Sequence, residues 1–125
     1  MKEDLLQYIW QFQYFNNSEL RTTAGETIQV IHPGNHNTNQ GPDFSQAKIK
    51  INKTLWAGNV ELHINSSQWN LHNHSSDSNF KNIILHVVWN HDTEIKDSNG
   101  NDLPTLELKT RVSKLLLKKY SELME

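Results

Sequence analysis

The chain has no cysteine, only three prolines and five glycines among 125 residues, and a formal net charge of just −2. The missing cysteines exclude a disulfide framework, thiolate zinc sites and cysteine nucleophiles together, and they leave nothing that points to an oxidising compartment. There is no excess of basic residues either, so a strongly basic whole-molecule field for nucleic acid is excluded and any such contact has to be local. Long hydrophobic runs are absent as well: Met1-Lys2-Glu3-Asp4 is acidic, and the apolar stretch from Leu5 to Trp10 is interrupted by Gln7. Together these absences point to a soluble, cytoplasmic protein with no membrane partner. The length suits one domain over residues 1–125.

What is present is a set of clear periodicities. Leu5, Leu6, Ile9, Trp10, Phe12 and Phe15 follow a helical period, with Asn16-Asn17-Ser18 as the expected stop. Ile28, Val30 and His32 alternate with polar neighbours up to a Pro33-Gly34 turn, and Asn35 to Pro42 reads as a polar loop. Ala47, Ile49 and Ile51 alternate with lysines, and after Asn52-Lys53-Thr54 the chain resumes from Leu55 to Ile64, which predicts an antiparallel hairpin. Asn65 to Lys81 is polar, anchored only by Trp69, Leu71 and Phe80. The near-continuous run Ile83 to Trp89 predicts a strand covered on both faces at the centre of a sheet. Asp97 to Asp102 is a turn cluster, Leu103 to Leu108 a last strand that Pro104 pushes to its start or to a sheet edge, and Arg111 to Met124 a helix with a stripe of Val112, Leu115, Leu116, Tyr120, Leu123 and Met124. The fold class is therefore α/β (α+β): a mixed central sheet with a β-hairpin, flanked by N- and C-terminal helices.

Two segments carry chemistry, Gly41-Pro42-Asp43-Phe44 and Gly58-Asn59-Val60-Glu61-Leu62-His63. On a strand, Glu61 and His63 share one face while Val60, Leu62 and Ile64 share the other. In the hairpin, Asp43 and Glu61 fall at comparable heights on neighbouring strands. Two carboxylates from adjacent strands, completed by backbone oxygen and water, suit a hard cation such as magnesium or manganese, with zinc as the alternative. His63 is placed to move a proton, to balance charge on a phosphoryl group or to ligate a metal.

Pro42-Asp43 followed by Glu61-Leu62-His63 resembles the signature of the restriction-endonuclease-like PD-(D/E)xK nuclease superfamily, with His63 standing where that signature has lysine. The resemblance implies a restriction-endonuclease-like core, with Asp43, Glu61 and His63 as catalytic residues and Asp43 and Glu61 as metal ligands. A second acidic-x-lysine triplet, Glu107-Leu108-Lys109, requires a different neighbouring strand. Over nearly its whole length the chain is also similar to the N-terminal part of bacterial domain-of-unknown-function family 2851, through Ile31-His32-Pro33-Gly34, Gly41-Pro42-Asp43-Phe44, Leu55 to His63, Trp69, His72, His74, Asp77 and Asn82 to Val88. That family implies no activity. Its members are longer, which leaves the chain either an N-terminal fragment or a truncated relative, and Asn39 and Gln68 stand where the family pattern calls for acidic residues.

A further candidate site gathers His36, His72, His74, Asp77 and His86 with His63 for zinc or another transition metal, although their spacing matches no standard zinc motif. Read separately, His36, His72 and His74 are loop residues and His86 a satisfied strand histidine. Trp56, Trp69 and Trp89 offer base-stacking surfaces, but aromatics on strands are more often core anchors. Lys109, Arg111, Lys114, Lys118 and Lys119 cluster near the C-terminus, a pattern more often a solvated helix face than a binding patch. Three readings remain open: a magnesium- or manganese-dependent nuclease, a non-catalytic binding or assembly domain on a degenerate nuclease fold, and a histidine-based metal-binding protein or hydrolase. Sequence preference and oligomeric state are not encoded in any of these motifs.

Overall fold

Acidic residues at the start of the first helix, Glu3 and Asp4, complement its N-terminal dipole, and Leu5, Leu6, Ile9 and Trp10 form the one face that is buried. This helix, α1 (Glu3–Gln11), ends before Asn16 because Gln13 takes a left-handed conformation and its amide donates to the Trp10 carbonyl. Phe12 is consequently half exposed, and Phe15 only flanks the core. The computed structural model describes residues 1–71 and 82–124.

A six-stranded mixed sheet is the frame of the molecule. Its strands are β1 (Ile28–His32), β2 (Asn35–His36), β3 (Phe44–Ile51), β4 (Thr54–Asn65), β5 (Ile83–Asn90) and β6 (Thr105–Glu107). The order is β1-β3-β4-β5-β6, with β2 paired to β3. The first half is antiparallel, whereas β4, β5 and β6 run parallel. The centre of the sheet is β4 rather than the expected Ile83–Trp89 run, because the hairpin adds its strands on one side only. Pro104 lies just before the short edge strand β6, where no ladder N–H is needed. The β3–β4 hairpin turns at Asn52-Lys53, with Asn52 in the left-handed region that asparagine tolerates in tight hairpins. The polar loop after Pro33 is partly a strand: Asn35 and His36 pair with Ser45 and Phe44.

Val60 and Leu62 of β4, with Leu85 and Val87 of β5 and Leu106 of β6, meet the buried face of α1 in the main core. The opposite face of the same strands carries a smaller cluster of Trp69, Ile95 and Leu103, with Trp69 supplied by α2 (Gln68–Leu71). Gly58 lets β4 lie close against its neighbours, since a Cβ there would lie 2.6 Å from Ile84 Cγ2 and 2.7 Å from the Asn82 carbonyl. Gly58→Ala is expected to lose about 1–3 kcal/mol of stability, read as a lower urea midpoint; an unchanged midpoint would show that the strands can part there without cost.

The last helix, α3 (Lys114–Leu123), is capped by Ser113 Oγ, which accepts from the Leu116 N–H. The expected stripe faces inward only in part, through Val112, which is buried, and Tyr120. Leu115, Leu116 and Leu123 are exposed, and Leu117 and Tyr120 make the contact with the core. Tyr120 stacks on Tyr14 at 5.4 Å and meets Tyr8 at 6.1 Å, so an aromatic cluster joins α3 to α1. Arg111, just before α3, donates to the carbonyls of Asn16, Ser18 and Glu19. Among the described residues no helix is long and apolar enough to cross a membrane.

Candidate active site

Asn37 organises the loop that delivers Asp43. Its side-chain amide donates to the carbonyls of Gln40 and Pro42, and its backbone N–H donates to the carbonyl of Asp43, while Gly41 turns the chain at φ 104°. Asp43 thereby enters β3 one residue before the Phe44–Val60 pair, beside Glu61. The two residues are tied twice: the Asp43 N–H donates to Glu61 Oε1 at 3.1 Å, and the two carboxyl groups hydrogen-bond to each other. Asp43 is held in turn by the Leu62 N–H, 2.8 Å from its Oδ2, and by the Gln7 amide of α1, 3.1 Å from its Oδ1.

Burial is the largest influence on Glu61, which is 5% exposed; the carboxyl hydrogen bond and the negative charge of Asp43 act in the same direction, and the Asp43 N–H opposes them. The result is a Glu61 carboxyl pushed from its ordinary 4.5 up to about 10. The Glu61 carboxyl is thereby kept in its protonated form at neutral pH.

His63 lies on the same face, its Nε2 3.9 Å from Glu61 Oε2. Its Nδ1 is 2.8 Å from Nε2 of His86, the residue of β5 that stands in register with Glu61. One proton lies between these two nitrogens, so one ring donates and the other accepts. Both rings are buried, and Trp69 covers His86 with ring centroids 5.2 Å apart. The alternation expected for β4 is present, but both of its faces are covered, so the Glu61 side is closed instead of open.

The structure thus brings Asp43, Glu61, His63 and His86 into one polar layer. It does not bring His36 into that layer: His36 is exposed on β2 and stacks on Phe44 at 5.0 Å. His72, His74 and Asp77 lie outside the described residues. Glu107 is on β6, separated from β4 by β5, and is engaged by the His91 N–H and by Lys109. The part of Gln7 in holding Asp43 and that of Trp69 in covering His86 escaped sequence reasoning. Gln7 left only a weak trace, as the polar interruption of an apolar helix start, and Trp69 was legible as an anchor without its partner.

Among the described residues no group of three or more histidines or acids is placed to hold a metal. The donor set that does exist, the carboxyl groups of Asp43 and Glu61, consists of oxygen atoms, the ligand type that hard cations take. The direct imidazole contact at 2.8 Å leaves no room for a metal between His63 and His86. Three cavities, of about 530, 300 and 290 Å³, are lined by residues other than Asp43, Glu61 and His63.

In comparison with known proteins, a family described as "Protein of unknown function (DUF2851)" matches residues 3–125. No curated protein and no solved structure matches the chain.

Proposed function

The chain belongs to the DUF2851 family, and within it we propose a divalent-cation-dependent phosphodiesterase acting on nucleic acid, with magnesium or manganese held by Asp43 and Glu61. The observation that carries this reading is the pair of acids that adjacent strands hold side by side, with the Asp43 N–H 3.1 Å from Glu61 Oε1. Burial, the bond to Asp43 and the charge of Asp43 all favour a protonated Glu61, and a divalent cation between the two acids would offset the repulsion. The reading includes a restriction-endonuclease-like core, in which the β3–β4 hairpin presents the two acids, and a cytoplasmic setting for a cysteine-free chain. The cation supplies charge neutralisation at the phosphoryl group and a more acidic attacking water. The chain's own residues do the rest: the Leu62 N–H and Gln7 orient Asp43, Glu61 yields its proton, and His63, steadied by His86, exchanges a proton through Nε2 from the position of the superfamily's lysine.

The near-complete burial of Glu61 and His63 favours a second reading, a binding or assembly domain in which the same polar layer only holds β3, β4 and β5 together. Calorimetric titration of manganese separates the two. We expect binding that Asp43→Asn and Glu61→Gln each weaken at least tenfold, with release of about one proton per cation at pH 7, seen by repeating the titration in buffers of different ionisation enthalpy. A wild-type chain that takes up no manganese would remove the catalytic reading and leave the binding domain.

A further inference from the structure

The largest of the three cavities, about 530 Å³, lies between the start of α1 and α3. Its lining combines Lys2, Lys114 and Lys118 with Asp4, Leu5 and Leu117. None of these three lysines has an ion pair or side-chain hydrogen bond among the described residues. The other members of the C-terminal basic cluster are differently disposed. Arg111 is bound to three backbone carbonyls, Lys109 to Glu107 and Asn90, and Lys119 is no part of the cavity wall. Within the basic cluster, Arg111 and Lys109 have partners, whereas Lys114 and Lys118 converge with Lys2 on the concavity, where Asp4 is the one acid in the wall. Three lysines against one aspartate leave an excess of positive charge around a partly apolar hollow, in a chain whose net charge is −2, and this favours an anion with an uncharged body.

The position of the cavity relative to the carboxyl pair narrows the choice. Lys2, Asp4 and Leu5 reach the cavity, whereas Glu3 acts electrostatically on Glu61 and Gln7 holds Asp43. The first two turns of α1 thus touch both places, on different sides of the helix. We infer that the hollow between α1 and α3 seats the phosphodiester backbone of a single nucleic-acid strand, with Lys2, Lys114 and Lys118 on its phosphates. A strand held there passes beside the first turns of α1 towards Asp43 and Glu61. This rests on the phosphodiesterase reading for the choice of anion, and on the lysine geometry for the site itself.

The test is fluorescence anisotropy of a labelled 12-nucleotide single-stranded DNA with the untagged chain in EDTA, so that neither cleavage nor a cation contributes. The expected result is a weak, salt-sensitive complex. Lys2→Glu, Lys114→Glu and Lys118→Glu should each weaken it several-fold, and the triple variant at least tenfold, with a salt slope lower by about 2 on logarithmic axes, as the loss of three single-strand phosphate contacts requires. Lys119→Glu, also on α3 but outside the hollow, should change affinity less than twofold, and thermal melting checks that every variant is folded. Absence of binding by the wild type, an unaffected triple variant, or a Lys119→Glu effect equal to that of Lys118→Glu would each overturn the inference. Failure of the phosphodiesterase reading has a separate signature: no manganese uptake, while the lysine-dependent complex with DNA persists.

Discussion

Glu61→Gln is expected to leave the protein at least as stable as the wild type at pH 8 and to remove much of its dependence on pH. In the unfolded chain Glu61 ionises near 4.5, whereas in the folded chain it keeps its proton up to about 10. Between those values the folded state binds more protons than the unfolded state, so stability falls as pH rises. The contribution is fully present below pH 4.5 and is lost progressively up to the folded value. One proton corresponds to about 1.4 kcal/mol per pH unit, so the wild type should lose on the order of 5 kcal/mol, as an upper figure, between pH 5 and pH 9. Glutamine has the shape of the protonated acid: its amide donates to Asp43 as the carboxyl does, and its oxygen accepts from the Asp43 N–H. Urea unfolding of both proteins at pH 5, 7 and 9 measures the difference. A variant clearly less stable than the wild type at pH 8 would mean that Glu61 is ionised in the folded chain.

The second large effect belongs to Trp10. Its ring is fully buried and stacks parallel to Phe15 at 6.1 Å, and its Nε1–H donates to the Pro33 carbonyl at 3.1 Å. Trp10→Ala should cost about 3–5 kcal/mol, from lost apolar transfer, the cavity left behind and an unpaired carbonyl. That is a large share of the roughly 5–15 kcal/mol that holds a domain folded. Trp10→Phe keeps most of the packing and loses the hydrogen bond, and should cost about 1–2 kcal/mol. Because α1 also carries Gln7, loosening it at Trp10 should weaken manganese uptake even under conditions where the variant is still folded. Equal destabilisation by phenylalanine and alanine would place the effect in the Pro33 bond rather than in packing.

Much of this architecture was legible from residue spacing alone. Period-two alternation with an Asn-Lys turn located the β3–β4 hairpin, and the Asp43–Glu61 juxtaposition followed from its register. Strand position was less legible. The Ile83–Trp89 run is apolar because two faces are covered, which holds for any interior strand, and β4 disguised the same burial by carrying Glu61 and His63. Those two residues looked like an exposed active edge, since sequence cannot show that His86 lies in register across the sheet and that Trp69 closes over it. The stripe on α3 misled for a related reason. Its leucines satisfy a helical period, but Leu117 and Tyr120 make the inward contact, with Tyr120 meeting the aromatic rings of Tyr8 and Tyr14, and Leu115, Leu116 and Leu123 are exposed.

The clasp made by Arg111 also constrains the chain while it is being synthesised. Its guanidinium fixes the backbone at Asn16, a partner 95 positions earlier. At about 5–20 residues per second, translation separates the two by roughly 5–20 seconds. Throughout that interval the link between α1 and β1 lacks its clasp, while the helix before it and the hairpin after it already have their own local partners. A nascent chain stalled anywhere before residue 111 would present this link to chaperones and proteases, and completing α3 would withdraw it.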